Sequence, residues 1–305
     1  MDSSQFGLAD IYDETVLKRS CYPQILNHHR IANIFGRING DDIVRNNKKW
    51  KIFIATHKKF YPEMYEVDSL FSNENYCIMN VGQLDILENQ DGYDVIDQKK
   101  LPEFYSLGAW WAESEGIYNL WKNGMHADLD YIGFSHYDKE QRLIRKDIFG
   151  RQATNITERI NKYIANKEKA HVSMENHSTK EMYLMRCMAD VSRPNEIVGD
   201  GLNMFDFIIN DYNTFFNKNY TIKDFLKRKQ INLCSCFLID VKNFDKMMRF
   251  FDWVVVNHHL DIFDTEHKFR MQGGMAERYF GVFLMFEYDK SLDLSTIHHY
   301  NTGLK

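Results

Sequence analysis

The stretch "DYIGFSHYDKEQRL", residues 130–143, decides how the chain folds. Tyr131, Ile132, Gly133 and Phe134 form a short apolar run without polar alternation, as expected of a strand covered on both faces. Ser135, His136, Tyr137, Asp138, Lys139 and Glu140 follow with no apolar break. A core strand that runs straight into ionisable residues has two explanations. It is an ordinary exit to solvent, or it delivers an imidazole and a carboxylate to a ligand beyond its carboxyl end.

Working outward, "KIFIAT" (51–56), "YCIMNVG" (76–82), "AHVSME" (170–175) and "NLCSCFLIDV" (232–241) read as further strands, with "TIHHY" (296–300) as a last candidate. Helical spacing is predicted between them. It runs through 103–124, with Gly124 as the stop, and through 146–167, where Ile156, Ile160 and Ile164 fall four apart. Residues 203–229 follow, then 243–259 opened by Asn243, then 273–290 opened by glycines. "DILENQDGYDVIDQKK" (85–100) reads as a loop. Strands alternating with helices imply an α/β layered sheet. The chain has only four prolines and no Pro/Gly/Ser linker, which favours one domain over residues 49–305. Residues 1–48 are polar and interrupted, with Ile25, Ile31 and Ile34 as apolar positions, and read as a helical extension suited to homo-oligomer contacts.

The net charge of −5 lacks the basic excess of a general nucleic-acid binder. Cysteines at 21, 77, 187, 234 and 236 are odd in number, widely spaced and without a Cys-x-x-Cys pair, which suits reduced thiols in a cytoplasm. No secretory leader opens the sequence, and no apolar run is long enough to span a bilayer. Peripheral association with a membrane face stays open.

Three stretches carry ionisable groups where ligands gather. The exit of 51–56 presents Thr56, His57, Lys58 and Lys59, which suit a nucleotide's polar edges and phosphates; a solvated turn is the plain alternative. His136 and Asp138 lie two apart, so on an extended chain both face one side and suit a shared divalent cation, Mn²⁺ or Mg²⁺. The plain alternative pairs Asp138 with Lys139 or Arg142. In 269–283, Gly273 and Gly274 permit close backbone approach at a helix start, Glu277 is expected in the first turn or so, and Arg270 and Arg278 flank it. Here the alternative is a glycine-started helix with a carboxylate answering its dipole. Asp128 and Asp130 precede their strand and fall at its far end.

Taken in order, "KIFIATHKKF", "AESEGIYNLWKN", "DLDYIGFSHYDKEQRL", "CSCFLIDVKNFDKMMRFFDWV" and "QGGMAERYFGVFL" resemble a family of bacterial proteins encoded in capsular-polysaccharide and O-antigen clusters and regarded as glycosyltransferases of GT-A-like fold. The resemblance covers about 51–290. It matches Thr56, His57 and Lys58, then Glu113, Tyr118, Trp121, Lys122 and Asn123, then His136 and Tyr137, and finally Glu277 and Arg278. It fails where Asp138 and Lys139 replace two arginines and where Ser235 replaces an asparagine.

The resemblance implies a GT-A-like, Rossmann-like α/β/α layered sheet. It implies transfer of a sugar from a nucleotide-diphosphate donor, a UDP-hexose first, to a hydroxyl of a glycan or glycolipid acceptor, at the inner face of the membrane. Thr56, His57 and Lys58 are expected to hold the nucleotide. His136, Tyr137, Arg278, Gly273 and Gly274 would meet the diphosphate, with Asp138 and His136 as ligands of any divalent cation. Glu277 is expected to take the acceptor proton in an inverting displacement, or Asp138 if no metal binds. The competing classes are a non-catalytic glycan-binding or scaffold protein on a degenerate transferase fold and, last, a phosphodiester hydrolase.

Overall fold

The computed structural model describes residues 47–57, 74–82, 94–108, 111, 113–137, 139–140, 143–147, 150–154, 156–183, 204–260, 271–294 and 297–298. The N-terminal extension lies outside the described residues, apart from 47–48. Lys49 joins the domain directly: its backbone N donates to Asp130 Oδ2 at 2.9 Å, and its carbonyl accepts from the N–H groups of Asp130 and Tyr131.

Among the described residues, β1 (Trp50–Thr56), β2 (Tyr76–Asn80), β3 (Val95–Asp97), β4 (Tyr131–His136), β8 (His171–Ser173), β11 (Phe237–Asp240) and β12 (Leu292–Asp293) form one seven-stranded sheet. Their order across it is β12-β8-β11-β4-β1-β2-β3. β4, β1, β2 and β3 are mutually parallel, β8 pairs in parallel with β12, and β11 runs antiparallel to both β4 and β8. Three small two-stranded sheets pair β5 (Lys139–Glu140) with β13 (Ile297–His298), β6 (Leu143–Asp147) with β7 (Gly150–Thr154), and β9 (Asn176–Ser178) with β10 (Gln230–Asn232).

Alternation along the strands sorts the core into two layers. Phe53, Ala55, Cys77, Met79, Ile132, Phe134, Phe237 and Ile239 face α1 (Glu113–Lys122), α3 (Met204–Phe216), α4 (Ile222–Lys227), α5 (Val241–Val256) and α6 (Met271–Glu287). Ile52, Ile54, Tyr76, Ile78, Tyr131, Val172 and Leu238 face α2 (Ile156–Ile164), whose Ile156, Ile160 and Ile164 are almost wholly buried. α5 starts where Asp240 accepts from Asn243 N at 3.0 Å, so the last residue of β11 is also the helix cap. α6 lies so close to β10 that a Cβ on Gly281 would stand 2.4 Å from the carbonyl oxygen of Asn232. Among the described residues no helix is long and apolar enough to cross a membrane.

Several sequence expectations are corrected. The stretch 232–241 is not one strand: Cys236 N bonds Leu233 O, and Cys234 (φ 55°) and Ser235 (φ 48°) take left-handed backbone that breaks it into β10 and β11. The stretch 85–100 contains β3 and a 3-10 turn at Gln98–Lys100. The helix expected over 146–167 is the end of a hairpin followed by α2. The helix expected from 103 begins at Glu113, because the chain before it is held as an extended strap along α1. Asn123 Nδ2 and Oδ1 bond the carbonyl and N–H of Glu103, Asn119 does the same for Tyr105, and Glu115 Oε2 accepts from the N–H groups of Leu107 and Gly108. Side chains four apart on the helix thus satisfy backbone two apart on the strap.

Candidate functional site

Parallel pairing brings the carboxyl ends of β1, β2 and β4 to one edge of the sheet. Thr56 stands opposite Asn80, and Ala55 opposite His136. The exits stay bound together: Val81 N donates to Thr56 O at 2.9 Å, Tyr137 N to Ala55 O at 3.1 Å, and Gly82 N to Asn80 Oδ1 at 3.0 Å. Gly82 is pressed against the exit of β1, since a Cβ there would lie 2.9 Å from His57 Cα. Thr56 and Asn80 are buried, while His57 is exposed and meets the buried Tyr137 edge-on, ring centres 5.1 Å apart. The residues expected around 57 and 137 therefore share one rim.

His136 sits on the face of β4 that turns toward the helix layer, as Ile132 and Phe134 do. Its Nε2 lies 3.5 Å from Glu113 Oε1, both side chains being largely buried. Glu113 opens α1, where the helix dipole favours a carboxylate. The two groups meet as an ion-pair contact at the strand end, without a hydrogen bond between these two atoms. Asp138 and Lys58 lie outside the described residues, so the 136/138 pairing carries no geometry here.

α6 reaches the same edge from the helix layer. Gly281 rests on Asn232 beside the start of β11, and Tyr288, just past the helix, donates to Asp240 Oδ2 at 2.7 Å at the end of β11. The helix therefore descends from the carboxyl edge of β4 toward its amino edge. Glu277 and Arg278, about one turn before Gly281, lie on the carboxyl-edge side. Gly273 and Gly274 fall within the first turn of α6 as observed, and Glu277 is in the second turn rather than the first. The Arg278 guanidinium folds back and donates to the Gly274 carbonyl. Asp130 lies at the amino edge, against Lys49, as its place before β4 implied.

The other residues named by the resemblance serve the scaffold. Tyr118 donates to Asp252 at 2.6 Å, Lys122 pairs with Asp252 at 2.8 Å, and Trp121 Nε1 donates to Asp245 at 3.0 Å, so all three seam α1 to α5. Two features were not singled out from the sequence. The sequence marks Asn80 only as part of a strand, and Glu113 only as a match to the family it resembles. A second cluster appears farther along the same edge, beyond β8 and β11. There Glu175, His177 and Cys234 bring one donor atom each within 4.8 Å of one another.

No family model matches the chain, and no curated protein matches it. Among solved structures, the chain resembles the apo bifunctional glycosyltransferase WbbM with a TM-score of 0.51 at 18% identity, over 83% of this chain and 46% of that one. The chain thus spans a little under half the length of that protein. The mannosyltransferase Ktr4p of S. cerevisiae, in complex with GDP, aligns at a TM-score of 0.32 and 12% identity over 79% of this chain and 68% of that one, too slight a likeness to argue from. The parallel β4-β1-β2-β3 half, the antiparallel β11 and the helices on both faces make this a glycosyltransferase-like α/β fold of the GT-A type.

Proposed function

We propose that the chain is a glycosyltransferase that moves a sugar, a UDP-hexose being the first donor to try, to a hydroxyl of a glycan or glycolipid in surface-polysaccharide synthesis at the inner face of the membrane. The observation that carries this reading is the gathering of Thr56, His57, Asn80, His136 and Tyr137 at the carboxyl ends of three parallel strands in a fold of this type. In it, Thr56, His57 and Lys58 hold the nucleotide. His136, Tyr137 and Arg278 face the diphosphate, together with the N–H groups of Gly273 and Gly274 at the start of α6. Glu113 positions His136. Glu277 accepts the acceptor proton as the sugar is displaced with inversion, and Asp138 is the alternative base.

A carboxylate is the ligand type Mn²⁺ and Mg²⁺ prefer, and Asp138, with the His136 imidazole beside it, would hold such an ion. Bound there, it would offset the charge of the diphosphate leaving group.

The test is calorimetry of the full chain with a panel of nucleotide sugars, with and without Mn²⁺, followed by assay of slow donor hydrolysis without acceptor. Binding of one donor class, weakened by His57→Ala and by Glu113→Gln, is expected. No heat with any donor removes the proposal.

A further inference from the structure

The Glu175, His177 and Cys234 cluster has a construction the sugar-nucleotide reading does not use. Glu175 and His177 are two apart around the start of β9, and Cys234 arrives from the left-handed turn between β10 and β11, 59 residues from Glu175. One oxygen, Glu175 Oε1, stands 2.9 Å from His177 Nε2 and 3.2 Å from Cys234 Sγ. All three residues are partly exposed, so the cluster is reachable from solvent.

The backbone beneath it is held from both sides. Asn232 Nδ2 contacts Ser173 Oγ at 2.6 Å, the Glu175 carbonyl at 3.1 Å and the Cys236 carbonyl at 2.7 Å. Met174 N donates to Cys236 O at 3.0 Å, and Leu233 N to Glu175 O at 3.3 Å. The segments carrying Glu175 and Cys234 are therefore fixed relative to each other before any ligand arrives, and β9–β10 pairing opposite Ile231 fixes His177.

We infer that Glu175, His177 and Cys234 form a binding site for a thiophilic divalent ion of the Zn²⁺ class, separate from the His136/Asp138 pair. Thiolate, imidazole and carboxylate together are the ligands Zn²⁺ selects, whereas Mg²⁺ prefers oxygen alone. Three protein ligands leave a fourth position for water or a substrate atom. On binding, the Cys234 thiol loses its proton to solvent and the sulfur takes the ion. The neutral His177 shifts its proton to Nδ1, and Nε2 becomes the ligand. One proton is released per ion, so affinity rises with pH.

The test uses the full chain stripped with a chelator and titrated with Co²⁺. One equivalent is expected to give a thiolate-to-cobalt charge-transfer band with visible bands of four-coordinate intensity, discharged by one equivalent of Zn²⁺ and untouched by excess Mg²⁺. Cys234→Ser is expected to abolish the charge-transfer band, and His177→Ala to weaken binding at least about tenfold. Because a variant can fail to fold, the unmodified chain supplies a second reading. Zn²⁺ should protect Cys234 from alkylation, followed by peptide mass mapping. No band with the stripped chain, a band unchanged in a folded Cys234→Ser chain, or equal Cys234 alkylation with and without Zn²⁺ overturns the site.

Discussion

Replacing Gly281 by alanine tests the close approach of α6 to β10, and Gly274→Ala on the same helix is its control. In a helix interior, alanine is favoured over glycine by about 1 kcal/mol, so propensity alone would make Gly281→Ala stabilising. The surroundings oppose this. The new Cβ would lie 2.4 Å from the Asn232 carbonyl oxygen, 2.9 Å from Ile231 Cγ1 and 3.0 Å from Ile231 Cδ1. Carbon and carbonyl oxygen rest at about 3.3–3.6 Å, so the helix must retreat by roughly 1 Å from backbone that has no rotamer to offer. Overpacking of this kind costs about 1–3 kcal/mol, and a gap of that width forfeits part of the dispersion energy along the whole seam. A total near 3 kcal/mol, less the propensity gain, leaves a net loss of about 2 kcal/mol. At Gly274 the nearest atom is only the tip of the Arg278 side chain, 3.3 Å away, which can swing aside. Gly274→Ala is therefore expected to stay within about 1 kcal/mol of the parent, given the same propensity gain. Urea unfolding with an unchanged m-value reads both, and in calorimetry the midpoint of Gly281→Ala should fall by about 3 °C. A Gly281→Ala chain as stable as the parent would refute the packing described for α6.

Asn232→Ala should cost about 2–4 kcal/mol in urea unfolding, since it strips a donor from three oxygens inside the fold; a loss under 1 kcal/mol would show that the clamp is dispensable. Burial lowers His171 from 6.5 to about 3, so between those values the unfolded chain binds a proton that the folded chain does not. Stability should therefore fall as pH drops from 6.5 toward 3, by at most about 1.4 kcal/mol per pH unit from this group. The urea midpoint of His171→Phe should shift less between pH 7 and pH 5 than that of the parent, and equal shifts would count against the buried neutral imidazole. Burial pushes the Cys77 thiol up to about 12, so in the native chain it should resist iodoacetamide at pH 8 while the partly exposed Cys234 reacts; mass mapping reads both.

The strands β1 and β4 were legible because they are apolar on both faces, a pattern only a covered sheet tolerates. β3 was not. It is three residues long and, among the described residues, pairs with β2 alone; a strand so placed that begins with exposed Val95 leaves little hydrophobic signature. Spacing overextends the helix before Gly124, because 103–111 carries apolar residues at helical intervals. What overrides the spacing is capture of that backbone by Asn123, Asn119 and Glu115. The ends of β1 and β4 could be named as a pair from their polar exits, whereas their register and the His57–Tyr137 contact needed the sheet. Glu113 beside His136 depends on how α1 crosses the sheet, which spacing does not encode. The cluster at 175, 177 and 234 depends on the left-handed turn at Cys234 and Ser235, two residue types that give no hint of positive φ.

The strap along α1 obeys a length limit. Each step of two extended residues advances about 6.8 Å, while each step of four helical residues advances about 6 Å. The two rulers slip by nearly 1 Å per rung, so rungs at Glu103, Tyr105 and Leu107 are about as many as side-chain reach can absorb. Gly108 (φ +105°) turns the chain away where a fourth rung would fall out of phase. Inserting or deleting one strap residue would turn the backbone groups of every rung beyond it the wrong way, so this segment should tolerate change of length far less than change of side chain at Glu103.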